Sequence, residues 1–238
     1  MSVTGDGAGD GAGGSAGSGG DAVRYRLVVF DWDGTLVDSA AIIVEAIQRA
    51  CADVGMPVPS DTAARYVIGL GLNDALRHVA PTLAEADYPL LSARYRVHYL
   101  GRDPEIPLFD GAARMLARLS ARGHRIAVAT GKSRRGLDRA LAQAGIAHHF
   151  VATRCADEGA PKPDPDMLHY LMRCTGIAPA ETLMIGDTTH DLMLAANAGV
   201  DAVAVAYGAH PRDSLAEETA LAIVESVDEL DRWLEANG

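Results

Sequence analysis

Two aspartates, Asp31 and Asp33, directly follow a short apolar run in the sequence VVFDWDGTLVDS, which spans residues 28–39. Paired carboxylates at the end of an apolar run leave two interpretations open. One acid could cap the next helix, a role that suits aspartate, or both acids could carry out chemistry. Capping requires only one acid, so the pair favours chemistry.

Further candidate site residues follow the other apolar runs of the chain or lie between them. They are Thr130 and Gly131 at the end of RIAVAT, Lys162 in the proline-flanked loop APKPDP, Asp187 at the end of LMIGD, and Asp191 four positions later. In open α/β sheets, ligands bind outside the carboxyl ends of the strands. A parallel sheet would therefore bring two acid pairs, a hydroxyl and an ammonium group together at one edge.

This set of groups predicts a site for phosphoryl transfer. Two carboxylates 4 Å apart repel by about 4 kcal/mol at an effective dielectric near 20, so the acids must protonate or share a cation. An all-oxygen site suits Mg²⁺, which is usually held by one or two carboxylates and by substrate phosphate oxygens. The Thr130 hydroxyl and the Lys162 ammonium would then donate to the phosphoryl group.

Short apolar runs alternate with amphipathic stretches along most of the chain. Strands are predicted at 26–30, 125–130, 183–185 and 202–206, with weaker candidates at 149–151 and 220–224. Helices are predicted at 111–123, 134–145, 164–176 and 190–199, and each range ends in glycine, which favours a helix end. The alternation predicts an α/β fold with a Rossmann-like, doubly wound parallel sheet.

One interval breaks this alternation, because no convincing strand occurs between residue 39 and about residue 109. We therefore predict three units. They are a disordered Gly-rich tail at 1–23, an α/β core formed by 24–38 and 108–238, and an all-helical cap domain at 39–107. Because the insertion follows the first strand directly, it should lie over Asp31 and Asp33.

Composition narrows the possible partners and location. The formal net charge of −11 argues against nucleic-acid binding, and the apolar runs are too short to span a membrane. Three widely spaced cysteines indicate neither a disulfide framework nor a zinc site. These cysteines and the absence of a signal-peptide pattern favour a cytoplasmic location. We expect a small-molecule phosphate ester as partner, while the oligomeric state is not readable from the sequence.

The motif DWDGTL, the strand-terminal Thr130, Lys162 and the motif GDTTHD, in this order, resemble the four motifs of the haloacid dehalogenase (HAD) superfamily. The helical insertion resembles the C1 cap of that superfamily, and the nearest subgroup is the phosphatases similar to phosphoglycolate phosphatase. The resemblance covers roughly residues 24–205, and four ordered motifs are far more specific than any one of them.

The resemblance implies a role for each acid. Asp31 would be the nucleophile that forms an aspartyl phosphate. Asp33 would protonate the leaving oxygen and then accept a proton from the hydrolytic water. Mg²⁺ would bind the side chains of Asp31 and Asp187 and the main-chain carbonyl of Asp33. Asp191 would orient Asp187, Lys162 or a metal-bound water.

Thr130 and Lys162 would hold the phosphoryl oxygens. Many relatives have asparagine where this chain has Gly131, so only the backbone N–H of Gly131 is expected to point at phosphate. Lys132 and the arginines after it either add positive potential near the site or form a solvated helix start. His190 is expected on a helix surface.

The implied activity is a Mg²⁺-dependent phosphatase that hydrolyses a small, phosphoglycolate-like metabolite through an aspartyl phosphate. A phosphomutase of the β-phosphoglucomutase type is the first alternative, because it shares the chemistry as far as this intermediate. A phosphoaccepting receiver domain of signalling proteins is the second. The order of the motifs and the large helical insertion both disfavour a receiver.

Overall fold

A computed structural model describes residues 23–238, so the predicted Gly-rich tail lies almost entirely outside the described residues. The strands are β1 (Leu27–Phe30), β2 (Arg125–Thr130), β3 (Phe150–Cys155), β4 (Thr182–Gly186), β5 (Asp201–Val205) and β6 (Ala222–Val224). The helices are α1 (Ala40–Asp53), α2 (Asp61–Tyr66), α3 (Leu72–Val79), α4 (Tyr88–Arg102), α5 (Ala112–Ala121), α6 (Arg134–Ala144), α7 (Asp166–Thr175), α8 (Thr189–Ala198), α9 (Arg212–Leu215) and α10 (Val227–Asn237).

The strands form one parallel sheet with the order β3-β2-β1-β4-β5-β6. Strand β1 lies in the middle, with Phe30 opposite Val128 of β2 and Ile185 of β4. The residues at the carboxyl ends of these three strands are therefore neighbours at one edge. The predicted doubly wound α/β sheet is confirmed.

Both faces of the sheet are covered because successive side chains of each strand point to opposite sides. Val28 and Phe30 of β1 belong to an apolar cluster that also includes residues of α5, α6 and α10. Leu27 and Val29 belong to a second cluster, formed with residues of α7, α8 and α9. All four residues of β1 are fully buried, so this strand provides a rigid support for the acidic turn at its carboxyl end.

Residues 39–107, the helical insertion, contain α1 to α4 and pack around an apolar cluster that also includes Ala209 from outside the insertion. The chain enters and leaves the insertion at adjacent points. The Asp38 N–H donates to the carbonyl of Pro107, and the Phe109 N–H donates to the carbonyl of Leu36, each at 3.0 Å. The division into a core and a cap domain stays a prediction.

Two helices of the C-terminal region, α9 and α10, were not predicted from the sequence. Helix α10 has recognisable signals, because the Ser226 side chain accepts a hydrogen bond from the Glu229 N–H at 3.2 Å, as a helix N-cap does. Its apolar residues Val227, Leu230 and Leu234 have helical spacing and pack on the sheet. Among the described residues, no helix has both the length and the apolar character needed to cross a membrane.

Candidate active site

Asp31 begins the turn at the carboxyl end of β1. Its N–H donates to the carbonyl of Ile185 at 2.9 Å, which extends the pairing of β1 with β4 by one residue. The carbonyl of Trp32 then accepts hydrogen bonds from the N–H groups of Leu36 and Val37, at 3.0 and 3.2 Å, and closes a tight turn. Asp31 is only 1% exposed, so its carboxylate lies inside the protein.

Lys162 lies between Asp31 and Asp191. Its Nζ is 2.9 Å from Oδ1 of Asp31 and 2.5 Å from Oδ1 of Asp191, and all three side chains are buried. The other oxygen of Asp191 accepts hydrogen bonds from the N–H and the hydroxyl of Thr188, at 3.1 and 2.7 Å. Asp191 therefore caps α8 and binds the lysine at the same time, and both oxygens are occupied.

Asp187 follows β4 and is held by two hydrogen bonds. The Thr35 hydroxyl donates to Oδ1, and the Ala209 N–H donates to Oδ2, both at 2.7 Å. Two glycines make room for this carboxylate. A Cβ atom at Gly34 would lie 2.1 Å from Oδ2 of Asp187, and one at Gly208 would lie 2.3 Å from its Cβ. Larger residues at either position would displace Asp187.

Asp31, Asp187 and Asp191 form a buried carboxylate cluster whose candidate ligand atoms lie within 4.8 Å of one another. Oδ2 of Asp31 accepts no hydrogen bond from any described residue. An all-oxygen donor set with an unpaired buried carboxylate oxygen fits a hard divalent cation such as Mg²⁺. Lys162 supplies one positive charge against three acids, so a cation would relieve their repulsion.

Burial makes ionisation of this cluster costly. It raises the pKa of Asp31 from 3.8 to about 7, although the nearby Lys162 ammonium lowers that pKa. The pKa of Asp187 is raised well above its usual value by burial and then by the charges of Asp31 and Asp191. The pKa of Lys162 is raised, because the attraction of Asp191 and Asp31 outweighs its burial. Without a further cation, the carboxyl groups of Asp31 and Asp187 therefore favour their protonated forms.

Asp33 lies two residues from Asp31 but has different partners. The Ser39 hydroxyl donates to Oδ1 of Asp33 at 2.8 Å, and Nζ of Lys132 lies 3.1 Å from Oδ2. Ser39 precedes α1 in the N-cap position, yet its side chain makes no capping hydrogen bond. The hydroxyl binds Asp33 instead, so the start of the helical insertion contacts this carboxylate directly.

Thr130 is fully buried at the end of β2, and its Oγ1 accepts a hydrogen bond from the Lys132 N–H at 3.2 Å. A Cβ atom at Gly131 would lie 2.5 Å from the carbonyl oxygen of Leu70 and 2.7 Å from that of Gly69. The backbone of the helical insertion thus occupies the space that an asparagine side chain would need.

The C-terminal end of α2 and the residues that follow it cover this edge of the sheet. The carbonyl oxygen of Tyr66 accepts hydrogen bonds from Nε2 of His190 at 2.8 Å and from Nε2 of His210 at 3.0 Å. The expectation that His190 lies on a helix surface is wrong, because it is only 5% exposed. Burial lowers the pKa of both histidines. Tyr66 and His190 are 124 residues apart in the sequence, so the residue pattern of α8 alone cannot reveal this contact.

A family model described as haloacid dehalogenase-like hydrolase matches residues 28–205, which include every candidate site residue. The chain belongs to this family. The resemblance in its motifs is thereby confirmed, and so is the expectation that the chain is a hydrolase related to phosphatases.

Curated relatives of this HAD-family chain carry both phosphatase and kinase names. It is 36% identical over 210 residues to the "probable phosphatase IndB" of Dickeya dadantii, covering 86% of this chain and 91% of that protein. It is 34% identical to the tyrosine-protein kinase PtkA of Mycobacterium tuberculosis, and the match covers 90% of this chain and 72% of that protein. It is 33% identical to the plasmid phosphoglycolate phosphatase of Cupriavidus necator, covering 85% and 90%.

A solved structure supports the same membership of the HAD family. The crystal structure of a predicted phosphatase from Clostridium acetobutylicum has a TM-score of 0.79 and 26% sequence identity, and the match covers 89% of this chain and 99% of that one.

Three residues around the site were not assigned from the sequence. They are Thr35, Ser39 and Ala209. For Lys132 two interpretations were open, and its Nζ lies in the site, 3.1 Å from Oδ2 of Asp33. Thr35 lies inside the first motif, so its position was a usable signal. The backbone N–H of Ala209 carries no sequence signal, because every residue except proline has one.

Proposed function

We propose that this HAD-family chain is a Mg²⁺-dependent phosphatase that hydrolyses a small phosphorylated metabolite through an aspartyl phosphate on Asp31. The proposal rests above all on the meeting of Asp31, Lys162, Asp187 and Asp191 in one buried cluster at the edge of the sheet. Such a cluster has little structural value in itself, since burying several acids around one lysine is costly.

In this proposal Asp31 attacks phosphorus and the ester oxygen leaves with a proton from Asp33. The Asp31 carboxylate is suited to this role because only its Oδ1 has a close partner in the protein, Lys162, while Oδ2 accepts no hydrogen bond from a described residue. Lys162 is already 2.9 Å from Oδ1 of Asp31, so its ammonium would attract the phosphoryl oxygens to the nucleophile. Thr130 and the Gly131 N–H would bind the same oxygens from β2.

Water then attacks the aspartyl phosphate while Asp33 accepts its proton, which releases inorganic phosphate and restores Asp31. General acid–base catalysis of this kind contributes about 10²–10⁴-fold to a rate. Asp33 is suited to both steps because its carboxylate lies beside the cluster and is held by Ser39 and Lys132.

Asp31, Asp187 and the main-chain carbonyl of Asp33 would hold Mg²⁺, and Asp191 would orient its neighbours. When bound, the ion would neutralise negative charge on the carboxylates and on the transferred phosphoryl group. The hydrogen bonds from Thr35 and Ala209 fix Asp187 for this role.

The substrate is proposed to be small, such as phosphoglycolate. Asp31 is 1% exposed and Asp187 is fully buried, and the backbone of the helical insertion crowds Gly131. A site this enclosed disfavours a macromolecular substrate, including the protein tyrosine implied by the name of one relative. We also propose a cytoplasmic location, since Cys51, Cys155 and Cys174 are free cysteines.

The test is steady-state hydrolysis of a panel of phosphate esters with Mg²⁺ or with a chelator, using wild type and Asp31→Asn. Wild type should release phosphate only with Mg²⁺, and Asp31→Asn should lose about 10⁴-fold or more. Asp38→Asn is the matched control, because Asp38 is an exposed acid of the same segment. Equal activity of wild type and Asp31→Asn would sink the proposal.

Product analysis separates the alternatives. A phosphomutase would give an isomerised sugar phosphate, and a kinase would label a protein tyrosine from ATP. A receiver domain would keep a stable phosphoprotein. Receivers of the flavodoxin-like class have the strand order 2-1-3-4-5, whereas β1 here lies between β2 and β4.

A further inference from the structure

The chain contains only two lysines, Lys132 and Lys162, against 19 arginines. Both lysines lie in the candidate active site, and each forms an ion pair with one aspartate of the first motif. Lys162 pairs with Asp31, and Lys132 pairs with Asp33. Both lysines of the chain therefore pair with acids of the first motif, whereas arginine occupies the other 19 Lys/Arg positions.

Lysine and arginine differ in ways that matter at such a place. An ammonium group is a compact point charge with three donors, whereas a guanidinium is a larger planar fork. The side chain of Lys132 is 10% exposed and that of Asp33 is 11% exposed, which leaves little room beside them. The space favours the compact group.

Lys132 contacts both parts of the molecule. Its Nζ is 3.1 Å from Oδ2 of Asp33 and donates a hydrogen bond of 2.7 Å to the hydroxyl of Tyr99 on α4. Its own backbone is tied to the core, because the carbonyl of Lys132 accepts from the Ala156 N–H at 3.0 Å and its N–H donates to Thr130. The side chain thus joins a fixed core loop to the helical insertion.

The end of α4 is also tied to the core. Asp103, which follows α4, pairs with Nε of Arg139 on α6 at 2.5 Å. The Tyr99 ring is buried and stacks on Tyr95, with ring centroids 5.7 Å apart. Tyr99 is therefore held firmly, and it can fix the direction of the Lys132 ammonium.

We propose that Lys132 is a positioning residue that holds the Asp33 carboxylate toward the leaving group and, through Tyr99, makes this position depend on α4 lying against the core. The inference deepens the proposed function and rests on Asp33 acting as the general acid there. Lys132 itself need not touch the substrate. When α4 moves away, Lys132 loses Tyr99, and Asp33 keeps only Ser39 as a fixed partner.

The test compares two esters of similar size that differ in their need for an acid. Phenyl phosphate releases a poor leaving group, whereas p-nitrophenyl phosphate releases a good one that leaves without a proton. The quantity to measure is kcat/KM with Mg²⁺, because it includes only the steps up to release of the leaving group. Wild type, Lys132→Met, Tyr99→Phe and the double variant are compared.

Lys132→Met should lower kcat/KM for phenyl phosphate about ten-fold or more, a part of the 10²–10⁴-fold that an acid contributes. For p-nitrophenyl phosphate the loss should stay within about three-fold. Tyr99→Phe should change the ratio in the same direction by a smaller factor, and it should add nothing in the Lys132→Met background, since both act through one contact.

Two matched controls should leave the ratio unchanged. Arg135→Met removes an exposed cation three residues away, and Tyr95→Phe removes a phenol hydroxyl from the same helix. Equal losses for both esters in Lys132→Met, or additive effects in the double variant, would overturn the inference.

The outcomes also separate this inference from the proposed function. If wild type hydrolyses neither ester, or if Asp31→Asn remains active, the proposed function fails and this inference fails with it. If wild type is active, Asp31→Asn is inactive and the ester ratio does not move in Lys132→Met, only the role of Lys132 is wrong.

Discussion

The two lysine–aspartate pairs of the site contain aspartates that are only two residues apart, but the pairs differ in burial and in their contacts. The inner pair, Lys162 with Asp31, is completely enclosed, with side-chain exposures of 0% and 1%, and its partners all belong to the sheet and its connections. The outer pair, Lys132 with Asp33, has exposures of 10% and 11% and touches the helical insertion through Tyr99 and Ser39.

This difference fits the roles proposed for the two acids of the first motif. The proposed nucleophile, Asp31, is held by a rigid strand end and a buried lysine. The proposed general acid, Asp33, contacts the helical insertion, which the proposal places over the leaving group. Substitutions in each pair and a change of pH test this contrast, from the largest expected effect to the smallest.

Lys162→Met should break the inner pair and have the largest effect. Removing one partner of a buried ion pair costs about 3–5 kcal/mol, because the other charge remains buried and unpaired. We expect a loss of this size in the free energy of unfolding, measured in urea with a chelator present, together with loss of phosphatase activity.

Arg135→Met is the matched control for Lys162→Met, because it removes an exposed cation and should change stability by less than about 0.5 kcal/mol. If Lys162→Met lowers the free energy of unfolding no more than this control does, the inner pair does not stabilise the fold and the predicted difference between the two pairs is wrong.

The metal-free protein should lose stability as the pH rises. Burial raises the pKa of Asp31 from 3.8 to about 7, so between these values the folded state holds a proton that the unfolded state releases. The free energy of unfolding therefore falls as the pH rises through this window. With a chelator present, we expect Tm to decrease by roughly 3–6 °C between about pH 5 and about pH 8.

Two further measurements tie that decrease to the inner pair. Asp31→Asn should reduce it without abolishing it, because Asp187 still has a raised pKa, and saturating Mg²⁺ should reduce it, because a cation favours the ionised carboxylates. A Tm that rises with pH in the chelated wild type would contradict the assigned direction of the shift.

Lys132→Met should have the smallest effect on stability. Asp33 keeps the hydrogen bond from Ser39 and lies closer to solvent than Asp31, so water can replace part of the stabilisation that the Lys132 ammonium provides. We expect a loss of roughly 1–2 kcal/mol in the free energy of unfolding, because this mostly buried pair is still better hydrated than the inner pair. A loss as large as that of Lys162→Met would erase the distinction between the two pairs.

The sequence predicted β1, β2, β4 and β5 well because each contains a short apolar run, whereas β3, with the sequence FVATRC, was only a weak candidate. The ranges 26–30, 125–130, 183–185 and 202–206 correspond within one or two residues to β1, β2, β4 and β5. The acids Asp31 and Asp187 follow two of these strands, so their neighbourhood was predictable from strand adjacency alone. Helix α10 was missed although its N-cap and apolar spacing were readable.

By itself, the sequence determined the family, the sheet and the order in which its chemical groups meet at one edge, because local apolar periodicity and ordered motifs encode these directly. Only the tertiary structure decided how each group is held. It buried His190 under Tyr66, brought Ala209 to Asp187, and assigned one lysine to each acid of the first motif. These contacts join residues far apart in the chain, and their distances depend on how the helical insertion packs against the core.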